Sequence, residues 1–365
     1  MKNCIAVAFT VLVAALSYAA QAEILIGAAG PLTGPQAWIG EQMQRGADMA
    51  VADINAAGGV LGQQLRLTTA DDFCDPQQAV TAAQKLVRDG VVFVVGHYCS
   101  GASIPASKIY QAAGVLQMSP GSTNPLLTEQ GFANVFRIVG RDDAQGAVAG
   151  NYLADHWAGK KIAVLHDGTT YGKGLAEETV KQLNKRGVTQ AIYEPYTPGK
   201  NDYSVLIAEL QAAQIAVVYI GGYHTEAGLL ARAAYDRGYT LQLVSGDDLT
   251  TEEFGLIAGP GADGALFTFG ADARRNPEAA PVVKRFQADN FEPEGFTLNT
   301  YAAVQAWAQA VEKAGSPDVQ AVIASLRSHQ FDTVLGKIGF DGKGDITGAS
   351  WVWYVWKAGK YAPLE

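Results

Sequence analysis

Residues 91–123, VVFVVGHYCSGASIPASKIYQAAGVLQMSPGST, decide the fold. Residues 91–95 are a short, wholly apolar run rich in valine, the pattern of a strand buried on both faces of a parallel sheet. Gly96 ends it, and Tyr98, Cys99, Ser100 and Gly101 follow where the next helix must start. This puts the Ser100 hydroxyl beside the backbone N–H groups that a helix N-terminus leaves unpaired, an anion site in outline. The plan then repeats. Residues 115–118 are a second buried run, and Ser119, Gly121, Ser122 and Thr123 crowd its carboxyl end. Two hydroxyl-rich turns therefore open on one sheet edge, and in open α/β sheets ligands bind outside the carboxyl ends of the strands. The edge is expected to hold a small zwitterion.

Upstream, residues 1–22 carry one basic residue, Lys2, an apolar run over 5–16, and Ala20-Gln21-Ala22. That is the pattern of a secretory signal peptide cleaved before Glu23. The run is too short for a transmembrane anchor, and Cys4 precedes it rather than standing at a cleavage position, which argues against a lipid anchor. Removing 22 of the 365 residues leaves 343, and loss of Lys2 moves the formal charge from −9 to −10. A soluble chain of that length usually forms two domains. Its acidic balance, with no run of lysine or arginine, argues against nucleic acid or an anionic membrane as partner. Two cysteines remain, Cys74 and Cys99. In an exported chain an even pair reads as a disulfide, here closing a loop of about 25 residues for roughly 3 kcal/mol. A reactive or metal-bound thiol pair is the competing reading, and no CxxC spacing supports it.

From Glu23 onward apolar runs alternate with helical patterns, which predicts βαβ units and parallel sheets. In the first set, strands are expected over 24–29, 65–70, 91–95 and 115–118. Helices follow the first two, the second capped by Asp75 and started by Pro76 over 76–88. Residues 136–139 read as a strand leaving this set. The second set has strands over 162–165, 191–193, 215–220, 241–244 and 265–269, and helices over 175–185, 203–213 and 226–237. Helical patterns over 281–290 and 298–314 have no strands of their own, so they are expected to return to the first domain. Residues 351–356 alternate as a terminal strand or hairpin, with Trp351, Trp353 and Trp356 as packing. There is also an internal echo: VVFVVGHYCSGAS and IAVVYIGGYHTEAG share a strand, glycine, His or Tyr, and a hydroxyl at a helix start. Two similar lobes facing each other would produce it, as would the turn preferences of the α/β plan itself.

A zwitterion needs acceptors for its ammonium. Candidates at strand ends of the second set are Asp167, Tyr171, Tyr223, His224, Asp247 and Asp248. Enzymatic patterns are missing. The five histidines show no HExxH spacing, no GxSxG elbow occurs, and Gly27, Gly30 and Gly34 do not make GxGxxG. No catalytic residue, metal or cofactor is therefore expected.

Taken together, GPLTGP at 30–35, GADMAVADINAAGG at 46–59, DDFCDPQQAV at 71–80, GHYCS at 96–100, SPGSTNPLLT at 119–128, HDGTTYGKGLA at 166–176, GGYHTEAG at 221–228 and NTYAAVQA at 299–306 carry a resemblance over essentially the whole mature chain. The chain resembles the leucine/isoleucine/valine-binding proteins of bacterial ABC importers, with the type I periplasmic binding fold. The resemblance implies two Rossmann-like α/β lobes with parallel sheets, joined by three crossover strands and closing on a ligand at a hinge. The lobes would be residues 23–140 with 271–346, and 141–270 with 347–365. It implies a Cys74–Cys99 disulfide, as the cysteine count already suggested. It also implies that Ser100 and Thr123, with the backbone around Gly121 and Ser122, hold an α-carboxylate. The ammonium would meet the Gly121 carbonyl, the Thr123 hydroxyl and Asp247, with Tyr171 and Tyr223 closing from the second lobe. The side chain would point toward Trp38, Ile39 and Phe296. The implied protein is a monomeric periplasmic receptor, not an enzyme, that delivers a branched-chain or similar neutral amino acid to inner-membrane ABC permease subunits. An aromatic amino acid or keto acid, or sensing of an amide or amino acid, is the alternative.

Two departures stand out. Asp247 stands where the branched-chain binders often carry glutamate, so its carboxylate is one methylene shorter. Ile39 stands where they often carry an aromatic residue, with Trp38 beside it.

Overall fold

A computed structural model describes residues 23–365, so the expected signal peptide lies outside the described residues. In the first lobe, β1 (Glu23–Gly30), β2 (Gln64–Asp71), β3 (Phe93–Gly96), β4 (Leu116–Ser119) and β5 (Val135–Arg137) form one sheet in the order β2-β1-β3-β4-β5. Every pairing in it is parallel. In the second lobe, β6 (Ile162–His166), β7 (Ile192–Pro195), β8 (Val217–Gly221), β9 (Gln242–Ser245) and β10 (Leu266–Phe269) repeat that order as β7-β6-β8-β9-β10. The chain reverses direction across each sheet between its first and third strands, and a ligand crevice opens at such a switch point. The sequence echo falls on these equivalent third strands, β3 and β8, which accounts for it by topology.

Local chemistry explains the helices of the first lobe. α1 (Ala37–Ala56) packs beside β1 and β2, and α2 (Pro76–Asp89) begins where Asp75 accepts the N–H groups of Gln77 and Gln78, each at 2.9 Å. α2 ends at Gly90, with φ +85°, and α3 (Ser100–Ala113) ends at Gly114, with φ +69°, left-handed positions that suit glycine. A short α4 (Leu126–Glu129) precedes β5. β5 was expected to leave the lobe but instead pairs with β4 as the edge of its sheet.

α5 (Asp142–Trp157) had no sequence signal, because its N-cap, Arg141, has no capping side chain. It packs on α6 (Thr170–Lys185) through Gly146, where an added Cβ would stand 2.6 Å from Glu178 Cβ. α7 (Ser204–Ala212), α8 (His224–Asp236) and α9 (Glu252–Ala258) complete the second lobe's helices.

The chain crosses between the sheets after β5 and again after β10. It then returns to the first lobe as expected, in α10 (Ala280–Ala288), α11 (Thr297–Ala314) and α12 (Val319–Ser328). Trp307 of α11 stacks on Phe93 of β3 with ring centroids 4.8 Å apart and planes 4° apart. A two-stranded hairpin, β11 (Phe331–Thr333) and β12 (Gly336–Ile338), precedes the third crossing. The chain ends in the antiparallel pair β13 (Val352–Lys357) and β14 (Lys360–Pro363) on β10. Trp356 is packed there as expected, its indole donating to the Leu249 carbonyl at 3.0 Å. Among the described residues no helix is long and apolar enough to cross a membrane.

Candidate functional site

The carboxyl ends of β3, β4, β6, β8 and β9 bring Tyr98, Cys99, Ser100, Gly121, Tyr171, Tyr223 and Asp247 around one small cleft between the lobes. Five of these seven were expected at the site from the sequence: Ser100, Gly121, Tyr171, Tyr223 and Asp247.

On the first-lobe side, Ser100 opens α3. The first N–H groups of a helix have no carbonyl within it, so this terminus offers donors to an anion. Ser100 does not cap the helix; its hydroxyl accepts the Asn124 N–H at 3.2 Å, and Cys99 is the N-cap residue. A disulfide joins Cys99 to Cys74, Cα atoms 5.5 Å apart, and ties this terminus to the end of β2. Beneath it, the His97 carbonyl accepts the hydroxyls of Ser103 at 3.1 Å and Ser119 at 2.6 Å. The His97 ring is itself held between Asp72, at 2.6 Å, and the Tyr110 hydroxyl, at 3.0 Å. Ser122 belongs to this scaffold: its hydroxyl donates to the Tyr98 carbonyl at 2.7 Å and meets Ser103 Oγ at 2.6 Å. It braces the turn rather than facing the cleft.

The second lobe supplies the acids and tyrosines. Thr169 caps α6 through the Gly172 N–H at 3.0 Å, which sets Tyr171 at the mouth of the helix. The Tyr171 hydroxyl donates to Asp247 Oδ1 at 2.8 Å. Gly246 leaves room for this bond, since a Cβ there would lie 2.7 Å from the Tyr171 hydroxyl. The neighbouring Asp248 has a different task. It accepts the His224 N–H at 2.5 Å, stands 2.8 Å from His224 Nδ1, and takes the Tyr98 hydroxyl from across the cleft. Burial pushes His224 down, but Asp248 and Glu253 outweigh it and raise the imidazole to about 10.

Asp142, the first residue of α5, was not anticipated. It is fully buried, and neither of its carboxyl oxygens has a hydrogen-bond partner. Burial, reinforced by the Asp247 charge, pushes it well above the usual carboxylate range. Thr123 Oγ1 lies beside it, buried and also without a bond of ordinary geometry. The nearest cation, Arg137, is engaged elsewhere: with Asp345 at 2.5 Å, the Ser122 carbonyl at 2.8 Å and Thr128 at 2.8 Å. Asp247 is raised to about 7, by burial first and then by Asp248, against the Tyr171 bond. Two buried acids thus stand together with no cation of their own, next to a helix N-terminus. The only sequence sign of Asp142 was the pair Asp142-Asp143 after the basic Arg141, which resembles a solvated turn.

The expected side-chain wall is placed differently. Phe296 is buried, but it stands behind Tyr98, ring centroids 4.9 Å apart, and does not line the cleft. Ile39 lies in the core, and Trp38 is 37% exposed at the start of α1, its indole 3.4 Å from Glu294 Oε1. Glu294 also accepts the Glu252 N–H at 2.7 Å from the opposite lobe.

Comparison with known proteins gives the family and the fold. The sequence profile described as "Periplasmic binding protein" matches residues 23–360. A Leu/Ile/Val-binding protein homolog of Brucella suis is 48% identical over 95% of this chain and 94% of its own. A leucine-binding protein of Thermotoga maritima superposes with a TM-score of 0.86 at 26% identity, covering 94% of this chain and 98% of its own. The branched-chain amino acid transporter substrate-binding protein of Streptococcus pneumoniae, solved with isoleucine, gives 0.85 at 27% identity, covering 94% and 99%. By sequence and by fold, the chain is a solute-binding protein of the periplasmic binding protein family, among the Leu/Ile/Val-binding proteins of type I architecture.

Proposed function

We propose that this protein receives a branched-chain or similar neutral amino acid in the periplasm and delivers it to an ABC permease by closing its lobes. One observation carries the reading: Asp142 and Asp247 are fully buried together beside the α3 terminus, and among the described residues no cation is paired with either. An ammonium supplies the missing charge, and the α3 N-terminus with Ser100 receives the carboxylate. Residues 23–140 with 271–346 act as one rigid lobe, and residues 141–270 with 347–365 as the other. The carboxylate seat lies on the first, and Asp247, Tyr171 and Tyr223 come from the second. Because the second lobe's contacts exist only after closure, ligand favours the closed form by differential affinity. The names of a leucine-binding protein and of a transporter substrate-binding protein solved with isoleucine support the ligand class, and that of an ABC transporter substrate-binding protein of Desulfitobacterium hafniense solved with leucine supports the permease partner.

Thermal unfolding of the ligand-stripped mature chain against amino acids, aromatic keto acids and short amides tests this. Ligand at about a thousand times its dissociation constant adds roughly 4 kcal/mol, read as several degrees in Tm. A shift with neutral amino acids is expected. Shifts only with keto acids or amides would overturn the ammonium site while leaving the receptor fold in place.

A further inference from the structure

Asn124 follows Thr123 in the turn after β4 and is only 6% exposed. Three of its groups are committed to the first lobe. Its N–H donates to Ser100 Oγ at 3.2 Å, its side-chain oxygen accepts the Leu126 N–H at 3.0 Å, and its carbonyl accepts the Leu127 N–H at 3.2 Å. The amide nitrogen instead crosses to the second lobe and donates to the Thr170 carbonyl of α6 at 2.8 Å. Thr170 is followed by Tyr171, which holds Asp247. One residue thus joins the turn at Ser100 to the helix that positions Asp247. The slot it enters is shaped by glycine. Gly174 lies one helical turn past Thr170, on the same face of α6. A Cβ there would stand 2.5 Å from the Asn124 amide nitrogen, and outside α6 Asn124 is the only residue within 4 Å of it among the described residues. Glycine costs a helix stability relative to alanine, and Asn124 is the neighbour that demands it here.

We propose that Asn124 is a latch of closure: it enters the Gly174 slot when the lobes close, and so couples occupancy of the Ser100 turn to the closed form. This rests on the amino-acid receptor reading and adds to it a residue pair that does not line the small cleft. In the open form Asn124 keeps its three first-lobe bonds, while its amide nitrogen and the Thr170 carbonyl face water. Closure exchanges those hydrations for one direct bond, so its net contribution belongs to the closed form alone. The coupling to ligand runs through Ser100, whose hydroxyl accepts the Asn124 N–H and keeps its own hydrogen to donate to a carboxylate. A ligand held by Ser100 thereby steadies the turn from which the amide projects.

Calorimetry and stopped-flow binding with leucine, isoleucine, valine and alanine test the proposal on wild type, Gly174→Ala, Asn124→Ser and the double variant, with ligand-free Tm as control. Gly174→Ala fills the slot and displaces the amide. It is expected to raise the Kd of the tightest-binding of these amino acids about three- to tenfold. The loss should lie in faster dissociation, with association within about twofold of wild type. Ligand-free Tm should equal or exceed wild type, because alanine favours a helix more than glycine. Asn124→Ser keeps a short acceptor for the Leu126 N–H and loses the reach to Thr170, so it should weaken binding by a similar factor. Both changes break one bond, and the double variant should bind no more weakly than the weaker single one. Wild-type affinity in Gly174→Ala, or losses that multiply in the double variant, overturns the latch. So does a Gly174→Ala protein whose ligand-free Tm falls by several degrees, since the glycine then serves the packing of α6. Each of these leaves the receptor reading standing, because wild type still binds. Binding of none of the four amino acids by wild type overturns the receptor reading itself, and the latch with it.

Discussion

Asp142 and Thr123, beside Asp247, mark the candidate site by the hydrogen bonds they lack. A buried acid without hydrogen bonds is costly, and proteins keep such groups where a partner completes them. Removing one partner of a buried charge pair costs about 2–5 kcal/mol. Asp247→Ala is therefore expected to abolish tight amino-acid binding, and Thr123→Ala, which removes a hydroxyl beside the ammonium, to cost about 1.5–3 kcal/mol. Both variants should fold. Calorimetry on the two, with circular dichroism as the folding control, checks this, and unchanged affinity in either would remove that residue from the site. Asp142→Asn separates binding from stability, because it relieves a buried charge. Its ligand-free Tm should match or exceed wild type while its affinity falls.

At the scale of elements, the site depends on how firmly α3 and α5 are held. The Cys74–Cys99 disulfide ties the start of α3 to the end of β2, beside the buried Asp72–His97–Tyr110 chain. Cys74→Ser with Cys99→Ser is expected to lose about 3 kcal/mol in the chain-entropy model. Since Cys99 is the N-cap residue next to Ser100, amino-acid affinity should fall with it. A reduced protein of unchanged Tm would show that the scaffold alone holds this turn. The start of α5 carries Asp142, and the helix is seated by Gly146 against Glu178 and Thr179 of α6. Gly146→Val should cost about 1–3 kcal/mol by overpacking, measurable by urea unfolding.

For the molecule as a whole, protons and ligand compete for the same groups. Burial raises Asp247 and Glu294 to about 7, Asp167 to about 6, and Asp142 well above its usual range. Such acids bind more protons folded than unfolded, so each stabilises the fold at low pH and loses that contribution as pH rises through about 4–7. His224, raised to about 10, is stabilising below its ordinary value of 6.5 and loses that contribution as pH climbs toward 10. Both effects have one sign. The ligand-free Tm should fall from pH 5 to pH 8, and saturating amino acid should flatten the slope by holding Asp142 and Asp247 ionised against an ammonium. A ligand-free Tm that rises over this interval would contradict the burial of these acids. Scattering in solution should also show a smaller radius of gyration on adding ligand, as the Glu294–Glu252, Asn124–Thr170 and Tyr98–Asp248 contacts form between the lobes.

The alternation of apolar runs and helical patterns, by itself, determined the two α/β lobes, the sheet edges and the turns that carry Ser100, Gly121, Tyr171, Tyr223 and Asp247. These are local signals: a strand buried on both faces must be continuously apolar, and a turn at its carboxyl end must be small and polar. Cys74 and Cys99 were legible as a pair because an even cysteine count in a chain read as exported points to a disulfide. Only the tertiary structure decided what those turns face. Asp142 was missed in the sequence because burial is a property of the packed lobes, and α5 has no cap to announce it. Ser122 read like its neighbours until the His97 and Tyr98 carbonyls claimed its side of the turn. Tyr98 became a wall of the cleft because Asp248, 150 residues further along the chain, holds its hydroxyl across the gap between the lobes. Contacts between residues that distant arise from the docking of one lobe on the other, and no spacing within either segment encodes them.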